Sequence, residues 1–260
     1  MKSKFFVIGV VIACLAVAFV IYLFVFGHPS HFNNAEKTEP KPGDLIGSVY
    51  TGGYLVAILL GLTLMVITFI IERLLSLTKA QGRGSLPRFI KRVQDHLMQG
   101  NVDAAIDECN KQRGSAANIL RSGLERYQQV RNDSTYDTDK KLAEVKRAVD
   151  ESTGLETPLL EKNLVALSTI ASISTMIGLL GTTLGMIRAF QALAKAGQAA
   201  SAVQLSVGIS EALINTAGGL MAAILSIVAY NYFTNRVDNF VYMIEEATLS
   251  MMEILTVKTK

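Results

Sequence analysis

The sequence predicts an all-helical, polytopic membrane protein, and three observations carry that expectation. Half of the 260 residues are hydrophobic and only 18% are charged, with a mean hydropathy of +0.34, where average soluble domains carry roughly 25% charge. Residues 5–26, 53–71, 164–184 and 207–233 each reach the roughly 20 mostly apolar residues that a helix needs to cross a bilayer. Nowhere does the chain alternate apolar and polar residues as a half-buried strand would.

Lys2 and Lys4 precede the first span, and the loop after it sets Lys37 and Lys41 against Glu36, Glu39 and Asp44. Most Lys and Arg lie in residues 72–163. The segment between the third and fourth spans holds only Arg188 and Lys195, while Arg236, Lys258 and Lys260 follow the last span. An excess of basic residues marks the cytoplasmic side. One topology satisfies every loop: four crossings with both termini inside. The first span has a second reading as a signal peptide, with Ala16-Val17-Ala18 as cleavage site, and Val11-Ile12-Ala13-Cys14 fits a loose lipoprotein pattern. The apolar run continues eight residues past Ala18, which favours an uncleaved anchor, and the other spans keep their orientation in either case.

The expected organisation is an anchor helix and periplasmic loop (1–52), a membrane helix (53–71), a cytoplasmic helical region (72–162), a two-helix core (163–233) and a cytoplasmic C-terminal helix (234–260). Within the charged region, Leu86, Ile90, Val93 and Leu97 fall at helical spacing and stop at Gly100-Asn101. Val102, Ala105, Ile106 and Cys109 form a second segment ending near Gly114-Ser115, and Ile119, Leu120 and Leu124 a third. "RNDSTYDTDK" (131–140) reads as a loop. Leu142, Val145 and Val149 restart a helix expected to run into the third span, kinked at most by Gly154 and Pro158. Beyond the fourth span, Val237, Phe240, Ile244, Thr248, Met251 and Leu255 keep one apolar stripe. Two spans therefore extend as long amphipathic helices, whose stripes must bury against each other or against neighbouring subunits.

Cys14 and Cys109 are the two cysteines, in an apolar and a polar stretch, so neither a disulfide framework nor a CxxC knuckle exists. His28 and His31 share an HxxH spacing in a loop without the Cys or acidic cluster a metal site would need.

Polar residues inside the spans carry the functional signal. On a helix of 3.6 residues per turn, Glu211, Asn215, Gly218, Ala222 and Ser226 share a face of the fourth span. Ser168, Ser172, Thr175, Gly178 and Thr182 form a stripe on the third. Facing stripes of this kind give either tight packing or a wet pathway. Gly181 and Gly185 form a GxxxG pair that lets membrane helices approach, and Ser or Thr hydroxyls satisfy themselves on helix carbonyls. Glu211 differs, because a carboxylate costs several kcal/mol in hydrocarbon and normally faces a bundle interior or water. Its alternative role is a carboxylate at the outer interface, stabilising the first turn of a helix.

"LEKNLVALSTIASISTMIGLLGTTLGMIRAF" (160–190) and "GISEALINTAGGLMAAI" (208–224) resemble the two core segments of the MotA/TolQ/ExbB proton-channel family. There a GLLGT-x-x-G-[MI] segment ends the second core span and a GI-x-EAL-x-x-TA-x-G segment opens the third. "GNVDAAIDECNKQRGSAANILRSGL" also resembles the family's intracellular helices, in the ExbB and TolQ branch more than the flagellar MotA branch. The resemblance covers roughly residues 53–233. It puts the intramembrane glutamate at Glu211 and pathway threonines at Thr182 and Thr216, with Asn215 beside them. Gly178, Gly181, Gly185, Gly218 and Gly219 are assigned to helix packing. Thr175 stands where relatives often have Pro, Leu184 where they have a bulky aromatic, and the first span is additional to the usual three.

The resemblance implies an inner-membrane motor subunit: a homo-oligomer, expected as a pentamer, around a dimer of an ExbD- or TolR-like single-span protein with a membrane aspartate. A TonB- or TolA-like protein would receive the mechanical work. Proton flow would recharge the partner's aspartate and move it within the ring. Facing polar stripes would line the lumen, and the amphipathic extensions would bury between subunits. The task would be outer-membrane transport, with envelope constriction or gliding as alternatives. No cofactor, nucleic acid or bond-making chemistry is expected. A passive membrane scaffold is the rival reading. An intramembrane protease would need Ser/Lys or paired Asp, and neither Asp nor Lys lies in the third or fourth span.

Overall fold

The computed structural model describes residues 2–34, 37, 39–133, 135–195 and 200–259. Glu36 and Lys260 of the charge pattern lie outside the described residues, as do the side chains of Lys2, Lys4 and Lys195. Apart from one isolated antiparallel bridge between Phe32 and Pro40, the described chain is helical: α1 (Lys2–Val20), α2 (Leu45–Tyr50), α3 (Tyr54–Gln81), α4 (Leu86–Met98), α5 (Val102–Gln112), α6 (Ser115–Val130), α7 (Thr138–Glu161), α8 (Leu164–Lys195) and α9 (Ala200–Thr259). Four helical stretches are long and apolar enough to cross a membrane. The protein is all-α and polytopic. Two compact units form, one from Met1–Ile71 with Val165–Asn231, the other from Glu72–Leu164 with Tyr232–Lys260.

In the membrane unit, α1 widens at its end into a π turn over Ile21–Phe26 and packs on α3 where glycine permits it. A Cβ on Gly61 would lie 2.7 Å from Leu15 Cδ2 and 3.5 Å from Ala18 Cβ. The Tyr22 ring stacks on Tyr50 at 4.7 Å between centroids, and its hydroxyl donates to the Tyr50 carbonyl (3.1 Å). Asp44 caps α2 by accepting from the amides of Ile46 (3.0 Å) and Gly47 (3.1 Å), which supplies acceptors for otherwise orphaned donors. His31 Nδ1 pairs with Asp44 Oδ2 at 2.7 Å. That hydrogen bond, with the Gly47 amide, holds the Asp44 carboxyl below the usual carboxylate range. His28 accepts from the Ser30 amide (3.3 Å). The HxxH pair thus organises a loop, and among the described residues no group of three metal-binding side chains assembles. Large exposed apolar residues on α8 and α9, such as Val165, Met176, Leu213, Met221 and Ile224, give this unit the surface that lipid covers.

The second unit is built as soluble helices are, by burying stripes. α4 buries Leu86, Phe89, Val93 and Leu97, and α6 buries Ile119, Leu120 and Leu124. Phe89 rather than Ile90 is the fully buried residue of that turn. Gly123 gives α6 room for its neighbours, since a Cβ there would lie 2.6 Å from Val149 Cγ2 and 2.9 Å from Met251 Cε. Val237, Phe240, Ile244, Met251 and Leu255 are all at most 4% exposed. The α9 stripe is therefore buried inside its own chain, one of the two covers expected for it, and this corrects the other, burial between subunits. The residues needed to cover it, from α6 and α7, belong to the same unit.

A second correction concerns the entry into the third span. Gly154 and Pro158 lie inside α7, and the helix stops later. Lys162 turns extended (ψ 137°) and Asn163 takes a left-handed φ of 65°, a conformation that Asn tolerates better than most residues. Arg73, 1% exposed, secures the break. Its Nη1 donates to the Leu160 carbonyl (3.2 Å), its Nε and Nη2 donate to the two Glu72 oxygens (2.7 Å each), and Asn163 Nδ2 donates to Glu72 Oε2 (3.2 Å). A carbonyl left free by the end of α7 is thus bound by a buried guanidinium.

Candidate functional site: a carboxylate in a glycine seam

α8 and α9 run antiparallel along a seam of small residues. A Cβ on Gly208 would lie 2.6 Å from Ala189 Cβ, one on Gly185 2.8 Å from the Ala212 amide nitrogen, and one on Gly178 3.2 Å from Gly219 Cα. One on Gly181 would overlap Asn215. Small residues therefore recur every three or four positions on both helices, the spacing that keeps one face. Gly218 belongs elsewhere: a Cβ there would approach Leu59 of α3 at 3.3 Å. Farther along, Ser226 Oγ donates to the Leu167 carbonyl across the seam (2.6 Å).

The close approach fixes the polar side chains. Glu211 is buried and forms an ion pair with Arg188 Nη1 of α8. Only the carboxylate is deep, with its side chain 12% exposed against 60% for Arg188. The Gly53 backbone packs beside it, because a Cβ there would lie 3.1 Å from Glu211 Oε1, and the φ of +77° suits glycine. Asn215, fully buried, donates from Nδ2 to the Gly52 carbonyl (2.8 Å) and to the Glu211 carbonyl (2.9 Å). Its Oδ1 and the hydroxyl of buried Ser174 have no hydrogen-bond partner among the described residues, and leaving such groups unmet costs about 1–3 kcal/mol each.

Glu211 does not stand in the first turn of its helix. α9 begins at Ala200, so Glu211 lies about three turns inside the helix, where every amide already has an intrahelical acceptor. The nearest positive charge is the Arg188 guanidinium.

Within one chain the two polar stripes meet only in part: Gly178 packs on Gly219, while the α8 hydroxyls turn away. The α9 stripe is packed: Glu211, Asn215, Ala222 and Ser226 are all buried. The α8 hydroxyls point elsewhere. Ser168, Ser172 and Thr175 line an open groove of about 620 Å³ whose other wall includes Ile227 and Tyr230 of α9. Thr182 and Thr216, both half-buried, donate to the carbonyls of Leu179 (2.6 Å) and Ala212 (3.1 Å). Ser168, Ser172 and Thr175 donate likewise to Val165 (3.0 Å), Ser168 (3.3 Å) and Ala171 (3.1 Å). Each hydroxyl proton is thus committed, and the lone pairs that remain act as acceptors. A row of acceptors suits water or hydronium and disfavours anions. Neither threonine hydrogen-bonds Glu211.

Sequence reasoning did not single out Arg188, Gly52 or Gly53 as site residues. Arg188 had a signal, as the sole arginine between the third and fourth spans. The glycine pair at the mouth of an apolar run gave a weaker one.

The site is thus an ion-paired carboxylate buried in a glycine seam of an all-helical membrane protein, with hydroxyls along a neighbouring groove. Residues 111–246 match the model of the MotA/TolQ/ExbB proton channel family, and the chain belongs to that family. It is similar to the Tol-Pal system protein TolQ of Pseudomonas aeruginosa, 39% identical over 118 residues, 45% of this chain and 51% of that protein. The Haemophilus influenzae TolQ is 45% identical over 92 residues, 35% and 40% of the two chains. A putative ExbB-like biopolymer transport protein of Synechocystis is 27% identical over 187 residues, 70% of this chain and 72% of that one. The chain spans about half the length of the first two relatives. The family match begins beyond α1 and α3.

Proposed function

We propose that this chain is the stator-type proton-channel subunit of an ExbB/TolQ-like inner-membrane motor, with Glu211 tuning the ion route and Arg188 holding it in place. One observation carries the reading: a buried carboxylate on a helix long and apolar enough to cross the membrane, matched by an arginine from the adjacent helix in the region that matches the family. Such a residue is costly in hydrocarbon and marks an ion pathway when found. Thr182 and Thr216, with the acceptor-only hydroxyls of the α8 groove, extend the route. Asn215 fixes the local backbone, and Gly178, Gly181, Gly185 and Gly219 set the helix separation.

The basic residues concentrated in 72–163 support both termini and the charged unit lying on the cytoplasmic side. The ring is a homo-oligomer, a pentamer in our reading, enclosing an ExbD- or TolR-like single-span partner. A TonB- or TolA-like protein takes up the work. No bond-making step is involved. Outer-membrane transport is the assigned task. Envelope constriction or gliding is the alternative.

The test is proton flux through the complex in vesicles. Glu211→Gln keeps the shape and removes the charge, so assembly should persist while flux falls at least tenfold. Full flux in the assembled variant would reject the ion-route role. The glycine seam favours a second reading, a passive scaffold, which predicts that same tolerance and indifference to the proton gradient.

A further inference from the structure

Several cations of the charged unit are paired on its helical faces. Arg92 and Lys111 share Glu108 (2.7 and 2.9 Å), Arg121 meets Glu125 (3.4 Å), Arg126 meets Glu144 (2.5 Å), and Arg147 bridges Glu144 and Glu151 (3.0 and 2.9 Å). One place gathers three that are not. Lys79, Arg83 and Arg113 line a single cavity of about 520 Å³, and among the described residues none of the three forms an ion pair. The fold itself drives them together. Gly82 and Gly114, both left-handed at φ 79° and 93°, pack back to back, and a Cβ on Gly114 would lie 2.8 Å from the Gly82 nitrogen. The Arg83 amide also donates to the Gln112 carbonyl (2.7 Å), so the arginines follow two loops locked to each other.

Glu156 is the one carboxylate on the wall, and it accepts from Asn118 Nδ2 (2.8 Å). α6 also opens into the cavity through Ser115, and no side chain caps its N-terminus. Three like charges around one cavity repel each other, and an anion relieves the repulsion. Guanidinium forks and free amides at a helix start together suit the tetrahedral oxygens of phosphate. Leu159 on the wall and Leu155 one turn away are exposed at 57% and 75%, an apolar surface beside the cations that fits an acyl chain.

We propose that this cavity binds a phosphate group, carried by an anionic phospholipid or by a free phosphate. The full-length protein is purified in detergent, and its thermal midpoint is followed in micelles doped with phosphatidylglycerol, in micelles doped with phosphatidylcholine, and with inorganic phosphate. Phosphatidylglycerol in tenfold excess over its dissociation constant should raise the midpoint by about 4 °C. The double variant Arg83→Gln/Arg113→Gln should lose most of that rise. Lys79→Gln changes only an exposed side chain and should lose part of it, which keeps the test valid should the double variant fold poorly. A rise from the glycerol lipid alone assigns the headgroup as occupant. An equal rise from inorganic phosphate at matched concentration assigns a free anion. If neither phosphate source moves the wild-type midpoint, or if Lys79→Gln and the double variant respond as the wild type does, the site does not exist.

Discussion

The two units solve the same packing problem with opposite materials. In the charged unit, α6, α7 and the end of α9 interlock large side chains, with Leu124, Val145 and Met251 at most 1% exposed. In the membrane unit, α8 and α9 meet through glycine and alanine, and many of their large residues, Leu213 and Met221 among them, turn outward. The difference follows from the solvent. Water drives leucine and methionine inward, whereas lipid is as apolar as they are and leaves backbone proximity and polar contacts to join helices. Close backbones then give polar groups a dry seam in which they must find one another. That is how Glu211 comes to sit beside Arg188.

The contrast can be broken from either side. The largest effect is expected from emptying the charged unit: Leu124→Ala should cost about 3–4 kcal/mol through lost burial and a residual cavity, read as a lowered thermal midpoint in detergent. Filling the seam should cost nearly as much. Gly185→Val drives side-chain atoms into the Ala212 amide and the Gly208 carbonyl, backbone groups that cannot move aside, for a loss of about 3 kcal/mol. The sharpest control is Gly154, inside α7 with nothing within 4 Å of a Cβ. Gly154→Ala should stabilise by about 0.5–1 kcal/mol.

The smallest expected effect depends on pH. Lys111 and Arg92 hold the Glu108 carboxyl below the usual range. A carboxylate whose folded value is depressed adds stability above its unfolded value and loses it as pH falls through the folded one. Stability should therefore drop by up to about 1 kcal/mol on acidification below roughly pH 4.5, and Arg92→Gln should flatten that limb in a pH series of unfolding midpoints.

Much of this was legible in the sequence. Spans were readable because about 20 apolar residues have few alternatives, and the seam was readable in part because Gly181 and Gly185 carry the GxxxG spacing. Glu211 announced itself by being charged where charge is expensive. Two features were not legible. Whether the α8 and α9 stripes face each other depends on rotation about each helix axis, and periodicity fixes which residues share a face without saying what the face meets. The break at Asn163 was hidden for a different reason. Gly154 and Pro158 carry the stronger local signals for ending a helix, but Arg73 and Glu72, some ninety residues earlier, bind the end of α7 where the sequence shows only an ordinary Lys-Asn pair.

In the proposed function, Glu211 and Arg188 act as one unit in the ion route. A double-mutant cycle on proton flux through the assembled complex tests that directly, with Arg188→Gln, Glu211→Gln and the two combined. If the pair acts together, the double variant loses no more flux than the worse single variant, a coupling of about 1–2 kcal/mol. If the two losses simply multiply, the residues work independently, and the arginine is not what holds the carboxylate in its role.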